Sequence, residues 1–312
     1  MDVFRKALKR VGLVNVSIIA ILLLIAALPL FTTYSLGMDV LIFGLFAMSY
    51  NIIHGHMGQV SFGHCMFFGL GAYFTALLLY WLRLPSQISW IYLPLGVTGA
   101  TLVAILVGTV VLQRRGIYFT LTNVAFQQLF YFLVLQLKGI TKGDEGISNI
   151  PVPFDLMRLP LFYVSLGIVV GAVFLMKRIF IDSSFGLVLH AVRDSEERTQ
   201  FVGYNTFRHM LKAYVMSAMF AALAGGLYVM HLHYVGLTMM RFELNAEVVI
   251  MTVLGGARSF IGPLIGAAVF YVMKDFITSN VGHWQLILGI LVMAIIMFLR
   301  DGLVGRIKAL KF

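Results

Sequence analysis

Two histidine pairs are the first feature of this sequence that could support chemistry. His54 and His56 form one His-x-His pair, and His231 and His233 form another. Imidazole nitrogens are common ligands of zinc and copper. However, each pair lies at the end of a predicted apolar helix, and no cluster of carboxylates accompanies either pair. We therefore interpret these histidines as polar anchors where apolar segments meet water, and we predict no metal site.

Catalytic signatures are missing from the sequence. It contains no P-loop, nucleophile elbow, zincin or kinase motif. Cys65 is the single cysteine and lies in an apolar, glycine-rich stretch, which excludes an intrachain disulfide and indicates a small packing residue. We predict no catalytic residues and no cofactor. Any energy for work must come from an ion gradient or from a separate ATPase.

Uncharged polar residues within apolar stretches are the remaining candidates for function. Polar groups are costly in such surroundings unless they face a cavity or one another. An ion-driven carrier would be expected to bury carboxylates, whereas Asp39, Glu247 and Asp275 lie near predicted helix ends. We hypothesise that six polar residues line or support a solute path: Gln59, Ser61, His64, Asn123, Gln128 and Ser259.

The composition defines the elements that must position these residues. Of 312 residues, 60% are hydrophobic and 12% are charged, against about 25% charged in an ordinary soluble domain. The mean hydropathy of +0.94 predicts a polytopic membrane protein. The net charge of +10 does not indicate nucleic-acid binding, because the basic residues form short clusters between apolar runs without interleaved aromatic residues.

A spanning helix needs about 20 mostly apolar residues. By this rule the predicted spans are 14–33, 38–53, 60–81, 90–112, 117–137, 161–177, 213–232 and 284–299, with a broken segment at 246–280. The run at 14–33 is longer than the apolar core of a signal peptide, so we expect an uncleaved first span.

The distribution of lysine and arginine predicts the orientation. With the N-terminus in the cytoplasm, most of the 23 basic residues lie inside, as the positive-inside rule requires. The segment 246–280 must then cross an even number of times, as two short helices or a re-entrant hairpin turning near Gly255 to Pro263. The predicted fold is an all-α bundle of about ten membrane segments with both termini in the cytoplasm. Six basic residues remain outside: Arg83, Lys138, Lys142, Arg158, Arg241 and Lys274.

Two glycine-rich stretches share the pattern Gly-x-x-Ser-Phe, at Gly58 to Phe62 and Gly256 to Phe260, which hints at an internal duplication. Glycines allow helix backbones to approach closely, and irregular backbone within a membrane requires cover from protein or a water-filled cavity. Tight helix packing is the simpler explanation. We predict that eight glycines serve it: Gly58, Gly63, Gly69, Gly71, Gly255, Gly256, Gly262 and Gly266.

Residues 183–212 form the longest polar stretch and are flanked by apolar runs. Helical spacing predicts an amphipathic helix with Arg193 paired to Glu196 and Glu197 on another face. Such a helix either docks to a soluble partner or lies as a connector on the lipid headgroups. A second polar segment, 138–160, is predicted to be a turn-rich outer loop that either receives a partner or joins two helices. The apolar stripe of the predicted helix comprises Leu187, Val188, Ala191, Val192 and Phe201.

Four blocks in order resemble the LivM-type permeases of branched-chain amino-acid ABC transporters. The similarity covers about residues 40–300. The blocks are Gly58 to His64 with Phe67 to Tyr73, Gly116 to Phe119 with Ala125 and Gln128, Phe185 to Asn205, and Leu254 to Ala267.

The resemblance implies one permease domain, 1–312, in a bacterial or archaeal cytoplasmic membrane. Such a subunit pairs with a second homologous permease, two cytoplasmic ATPase subunits and an external solute-binding protein. Within 183–212, the resemblance implies that eight residues couple to the ATPase: Phe185, Gly186, Arg193, Asp194, Glu196, Glu197, Gly203 and Asn205.

The expected function is import of branched-chain or other hydrophobic amino acids. Related permeases move urea, amides or organic acids, and the outer loop departs from the usual family pattern at Thr141 to Gly146. Two alternatives stay open: an ion-gradient-driven secondary transporter, and a membrane scaffold without transport.

Overall fold

The computed structural model describes residues 33–82, 89–151, 158–280 and 302–309, with the isolated positions 286, 289, 290 and 293. Within these ranges the chain is almost entirely helical, which confirms the all-α prediction. The predicted first span, 14–33, and last span, 284–299, lie almost wholly outside the described residues.

The helices and strands are labelled in chain order. The first six are α1 (Tyr34–Asn51), α2 (Cys65–Leu82), α3 (Tyr92–Val111), α4 (Ile117–Gln136), α5 (Lys138–Thr141) and β1 (Ile147–Ser148). The rest are α6 (Arg158–Phe180), α7 (Ser184–Asp194), α8 (Glu196–Phe201), α9 (Thr206–Leu232), β2 (Tyr234–Val235), α10 (Phe242–Gly255), α11 (Gly262–Asn280) and α12 (Gly302–Ala309).

Six helices in the described ranges are long and apolar enough to cross a membrane: Tyr34–His56, Cys65–Leu82, Tyr92–Val111, Ile117–Gln136, Pro160–Phe180 and Thr206–Leu232. Each corresponds to a predicted span. The broken segment 246–280 is the helical hairpin of α10 and α11, which turns between Gly256 and Ile261. A helical membrane bundle is therefore established, while the total of about ten segments stays a prediction.

Helix α1 is at the centre of the bundle and is buried along almost its whole length. It packs against α6, α9, α10 and α11. By contrast, α4 exposes large apolar side chains such as Leu121 and Phe132. An apolar outer surface is the normal condition of a helix that faces lipid or a partner subunit in a membrane.

Close backbone approach between helices depends on small residues. A Cβ added at Gly71 in α2 would collide with the backbone of Ala222 in α9. A Cβ added at Gly266 in α11 would collide with the carbonyl oxygen of Met251 in α10. These contacts are of the kind that small residues permit in membrane helices.

The segment after α9 is the main feature that the sequence did not predict. Strand β2 pairs with β1 in an antiparallel ribbon, with Ile147 opposite Val235, which fixes part of the segment 138–160 against the bundle. A short 3₁₀ helix, Leu237–Met240, then packs against α2 and α4. Asn245 in α10 accepts a hydrogen bond from the backbone N–H of Cys65 at 3.1 Å and donates one to the carbonyl of Ser61 at 3.3 Å. Its amide thereby satisfies backbone groups at the irregular start of α2.

Candidate functional site

The polar segment between α6 and α9, residues 183–212, forms two short helices before it enters α9. Ser183 begins α7 by accepting a hydrogen bond from the N–H of Gly186 at 3.4 Å. Ser195 adopts an extended conformation, which ends α7, and accepts from the N–H of Arg198 at 3.4 Å, which begins α8. Asn205 caps α9 in the same way, accepting from the N–H of Arg208. The prediction of one continuous helix is therefore wrong, because Ser195 interrupts it.

The break at Ser195 also changes which apolar side chains are buried. Val188 and Val192, two members of the predicted apolar stripe, pack into the protein together with Leu189. Leu187 and Phe201, assigned to the same stripe, are 72% and 90% exposed instead. A single stripe requires one helix axis, and the chain changes direction between the two helices. The result is a set of exposed apolar side chains on the polar segment, here called the apolar tip: Leu187, Phe201, Val202 and Tyr204.

Glu196 joins three elements through its carboxylate. Arg115, in the turn between α3 and α4, donates to it from Nε at 2.7 Å and from Nη2 at 2.8 Å. Thr206, at the start of α9, donates its hydroxyl to Oε1 at 3.0 Å. These hydrogen bonds, that of Arg115 foremost, lower the pKa of Glu196. The predicted pairing of Arg193 with Glu196 is wrong, since a helix break separates the two residues.

Arg193 and His190 attach α7 to the end of the central helix. After Asn51, α1 continues as a π-helical turn, Ile52–His56. Such turns leave backbone groups available for other partners and are frequent at functional sites. The guanidinium of Arg193 donates to the carbonyl of Gly55 at 2.7 Å, and Nε2 of His190 lies 2.7 Å from Nδ1 of His56. Partial burial, followed by the charge of Arg193, lowers the pKa of His190.

Positions 55–59 and 257–259, in and beside the two glycine-rich stretches, meet at this same end of α1. The side chain of Asn51 donates to the carbonyl of Ser259 at 3.2 Å. A Cβ at Gly55 would collide with the carbonyl of Ala257 in the turn between α10 and α11. Gln59 accepts from the N–H of Gly116 at 3.2 Å. The π turn and the residues on either side of it, 51–59, thus form a junction for α7, the α3–α4 turn and the α10–α11 turn.

Other predicted path residues lie deeper in the bundle. Ser61, His64 and Asn123 are fully buried. His64 lies 3.1 Å from the hydroxyl of Ser49, and its ring stacks on Phe46 at 5.6 Å between centroids.

Asn123 and Gln128 both lie on α4 but in different surroundings. Asn123 accepts from the hydroxyl of Tyr214 at 2.7 Å. Gln128 is half-buried. The contacts of the path residues described here are made within the chain, and their role in a solute path stays a prediction.

The remaining predicted coupling residues occupy the same polar segment. Phe185 packs on Phe180 and stacks on His209. Gly186 is buried, and a Cβ there would collide with the carbonyl of Phe180. Asp194 and Glu197 are exposed, and Gly203 has a positive φ of 97° with open space around it.

Several residues of these contacts were not identified from the sequence, among them Arg115, Thr206 and Gly55. Arg115 was counted only for membrane orientation, and Thr206 and Gly55 carry no pattern of their own. No group of three or more potential metal-ligating residues occurs in the described part of the chain. His56 meets His190 rather than a carboxylate cluster.

Comparison with known proteins identifies the family. Residues 33–299 match the family described as branched-chain amino acid transport system / permease component. The high-affinity branched-chain amino acid transport system permease protein LivM of Escherichia coli is 26% identical over 317 residues, covering 92% of this chain and 74% of that protein. The LivM protein of Salmonella typhimurium is 26% identical over 291 residues, covering 84% of this chain and 68% of that protein. No solved structure matches. With its bundle of apolar helices, this chain is a multi-pass membrane protein that belongs to the family of permease components of branched-chain amino acid transport systems.

Proposed function

We propose that this chain is the permease subunit of an ABC importer, forming one permease domain over 1–312. Together with a second, homologous permease it would form the path for branched-chain or other hydrophobic amino acids across a bacterial or archaeal cytoplasmic membrane. Two cytoplasmic ATPase subunits would drive it, an external solute-binding protein would deliver the solute, and both termini would be cytoplasmic. The family match and the LivM relatives support this function.

The construction of the polar segment is the observation that carries the proposal. Its two helices present the apolar tip outward. On the other side they connect to three parts of the bundle through Glu196 and Arg193. A connector lying passively on headgroups needs no such connections. A surface that receives a push from a soluble ATPase requires them, because force must pass from α7 and α8 into α1, α4 and α9.

The apolar tip fits docking into a groove of the ATPase. Phe201 is 90% exposed and lies beside Val202, which is 75% exposed. Large apolar side chains that protrude from a polar element mark sites of interaction with proteins or membranes. Asp194 and Arg198 border a cavity of about 360 Å³ next to the tip, which offers polar contacts around an apolar centre.

Reconstituted transport tests the proposal. The chain is co-expressed with a candidate partner permease and candidate ATPase subunits, and leucine uptake into proteoliposomes is measured with a candidate binding protein present. We expect uptake to need ATP and to continue when ionophores collapse the ion gradients. Uptake that continues without ATP and stops with ionophore would assign the chain to the secondary transporters instead.

A variant of the apolar tip tests the docking surface. We expect Phe201→Ser to reduce co-purification of the ATPase and leucine uptake at least five-fold while the chain still inserts into the membrane. Leu106→Ser is the matched control, because Leu106 is 69% exposed on α3 but lies away from the tip. Full ATPase binding by Phe201→Ser would show that docking occurs elsewhere.

A further inference from the structure

A second polar cavity lies at the opposite end of α9 from the polar segment. It has a volume of about 330 Å³ and is bounded by α1, α9, the 3₁₀ helix, α10 and α11. This volume is within the range of small-molecule sites, roughly 300 to 1,000 Å³. On the orientation proposed above, the cavity opens on the outer side of the membrane, where solute arrives.

Charges of both signs surround this cavity. Lys274 donates to Glu247 at 2.7 Å, and both side chains are about a quarter exposed. Arg241 and Glu243 lie exposed at its rim, where α10 begins. Asp39 of α1 is half-buried nearby and interacts electrostatically with Lys274 and Glu247. Asp275 also interacts with Asp39, so four carboxylates share the region with two cations.

Beneath the charges the cavity is aromatic. Phe43 and Tyr271 stack with ring centroids 4.7 Å apart, and Tyr228 contacts Phe43 edge-on at 5.2 Å. The ammonium of Lys274 lies 5.3 Å from the centre of the Tyr271 ring. An apolar side chain entering the cavity would contact these rings while its polar end stayed among the charges.

We propose that this cavity is a subsite for a zwitterionic α-amino acid with an apolar side chain. The carboxylate of the solute faces Arg241 and Lys274, its ammonium faces Glu243 and Glu247, and its side chain lies over Phe43 and Tyr271. This inference rests on the proposed transport function and specifies its solute class. Urea and simple amides carry no charge for these groups to recognise, and an organic acid lacks the ammonium that would face Glu243 and Glu247.

Direct binding tests the subsite without the solute-binding protein. The probe is L-leucine, titrated calorimetrically into the assembled transporter in lipid nanodiscs. Two analogues are the controls: 4-methylpentanoate, which lacks the ammonium, and 3-methylbutylamine, which lacks the carboxylate. We expect leucine to bind at about millimolar concentration, and each analogue to bind at least ten-fold more weakly. Equal binding of leucine and either analogue would overturn the proposal.

Rim variants separate recognition from structural support. Arg241→Gln and Glu243→Gln alter exposed side chains, so we expect an unchanged melting temperature but at least five-fold weaker leucine binding. Lys138→Gln, an exposed cation elsewhere on the same side, is the control and should bind leucine normally. Normal binding by both rim variants would overturn the subsite even if ATP-driven uptake continued. Conversely, uptake that needs no ATP would overturn the proposed function, while the leucine titration would still test the subsite.

Discussion

Glu196 connects the polar segment to two other elements, the α3–α4 turn and α9. It accepts two hydrogen bonds from Arg115 and one from Thr206. Both members of the ion pair remain about a third exposed, so solvent limits the pair to about 1 kcal/mol. An energy of this size is a small part of the total stability of the protein. The same ion pair nevertheless joins α8 to the α3–α4 turn.

We predict that Glu196→Gln leaves the fold intact but loosens this connection. An amide keeps the size and the acceptor for Thr206 but loses the charge that holds Arg115 bidentately. Hydrogen exchange of α7 and α8, measured by mass spectrometry, should become up to about five-fold faster, and ATP-driven uptake should fall several-fold. Glu197→Gln is the matched control for exchange, because Glu197 is exposed. Unchanged exchange in Glu196→Gln would mean that Arg115 contributes nothing to docking.

His190 makes docking of α7 sensitive to pH. Its pKa lies below the ordinary value of 6.5 because burial disfavours the charged ring. The undocked segment therefore takes up a proton at a higher pH than the docked one, so docking is complete above about pH 6.5 and weakens as the pH falls below it. Arg193 opposes protonation of the ring and Asp194 favours it, while His56 lies against its Nε2.

The prediction is faster hydrogen exchange in α7 at pH 5.5 than at pH 7.5, after correction for intrinsic rates. His190→Gln should remove much of that difference. The ion pair of Glu196 with Arg115 should not contribute to this difference, because the lowered pKa of Glu196 keeps its carboxylate ionised at both pH 5.5 and pH 7.5. If His190→Gln shows the same difference in exchange between the two pH values as the unmodified protein, a group other than His190 causes it.

Sequence reasoning identified one side of this junction but not the other. Arg193 and Glu196 were selected because they lie in a polar stretch between apolar runs and because the stretch resembles a known coupling segment. Their partners, Arg115 and Gly55, are far away in the sequence, and neither a single arginine nor a single glycine predicts a contact. The i,i+3 pairing rule failed because it presupposes an unbroken helix.

At the scale of elements, the contact between α2 and α9 depends on Gly71. Its Cα faces the backbone of Ala222, and no rotamer change could make room for a larger side chain. We predict that Gly71→Val separates the two helices and lowers the melting temperature in detergent by several degrees or prevents stable insertion. Gly167→Val on α6 is the control, because nothing lies within 4 Å of a Cβ there. Equal stability of the two variants would show that α2 and α9 tolerate a wider separation.

Elements with a strong apolar signal were predictable, and those without one were not. The six long helices in the described ranges follow directly from apolar runs of about 20 residues. The hairpin of α10 and α11 followed from charge placement together with the glycines near its turn. The 3₁₀ helix Leu237–Met240 and the β1–β2 ribbon were missed, because two-residue strands and single turns leave no periodicity to detect.

For the whole molecule, α1 connects the two candidate sites. Its first half carries Asp39 and Phe43 at the charged cavity, and its final π turn carries the Gly55 carbonyl that binds Arg193. Since α1 is buried on nearly all sides, we expect it to move as a unit rather than to bend toward lipid. A push on α7 and α8 therefore has a direct mechanical route to the cavity at the far end of α9.

This arrangement requires the apolar tip and the outer loop to lie on opposite sides of the membrane. Cys65, the single cysteine, is fully buried, so new cysteines can be labelled against a silent background. We predict that Asp144→Cys reacts with an impermeant maleimide in intact cells, whereas Phe201→Cys reacts only after the membrane is opened. Both side chains are exposed in the structure, so a difference in labelling would report the side of the membrane and not burial of one residue within the protein. Labelling of Phe201→Cys in intact cells would place the polar segment outside, where no cytoplasmic ATPase could reach it.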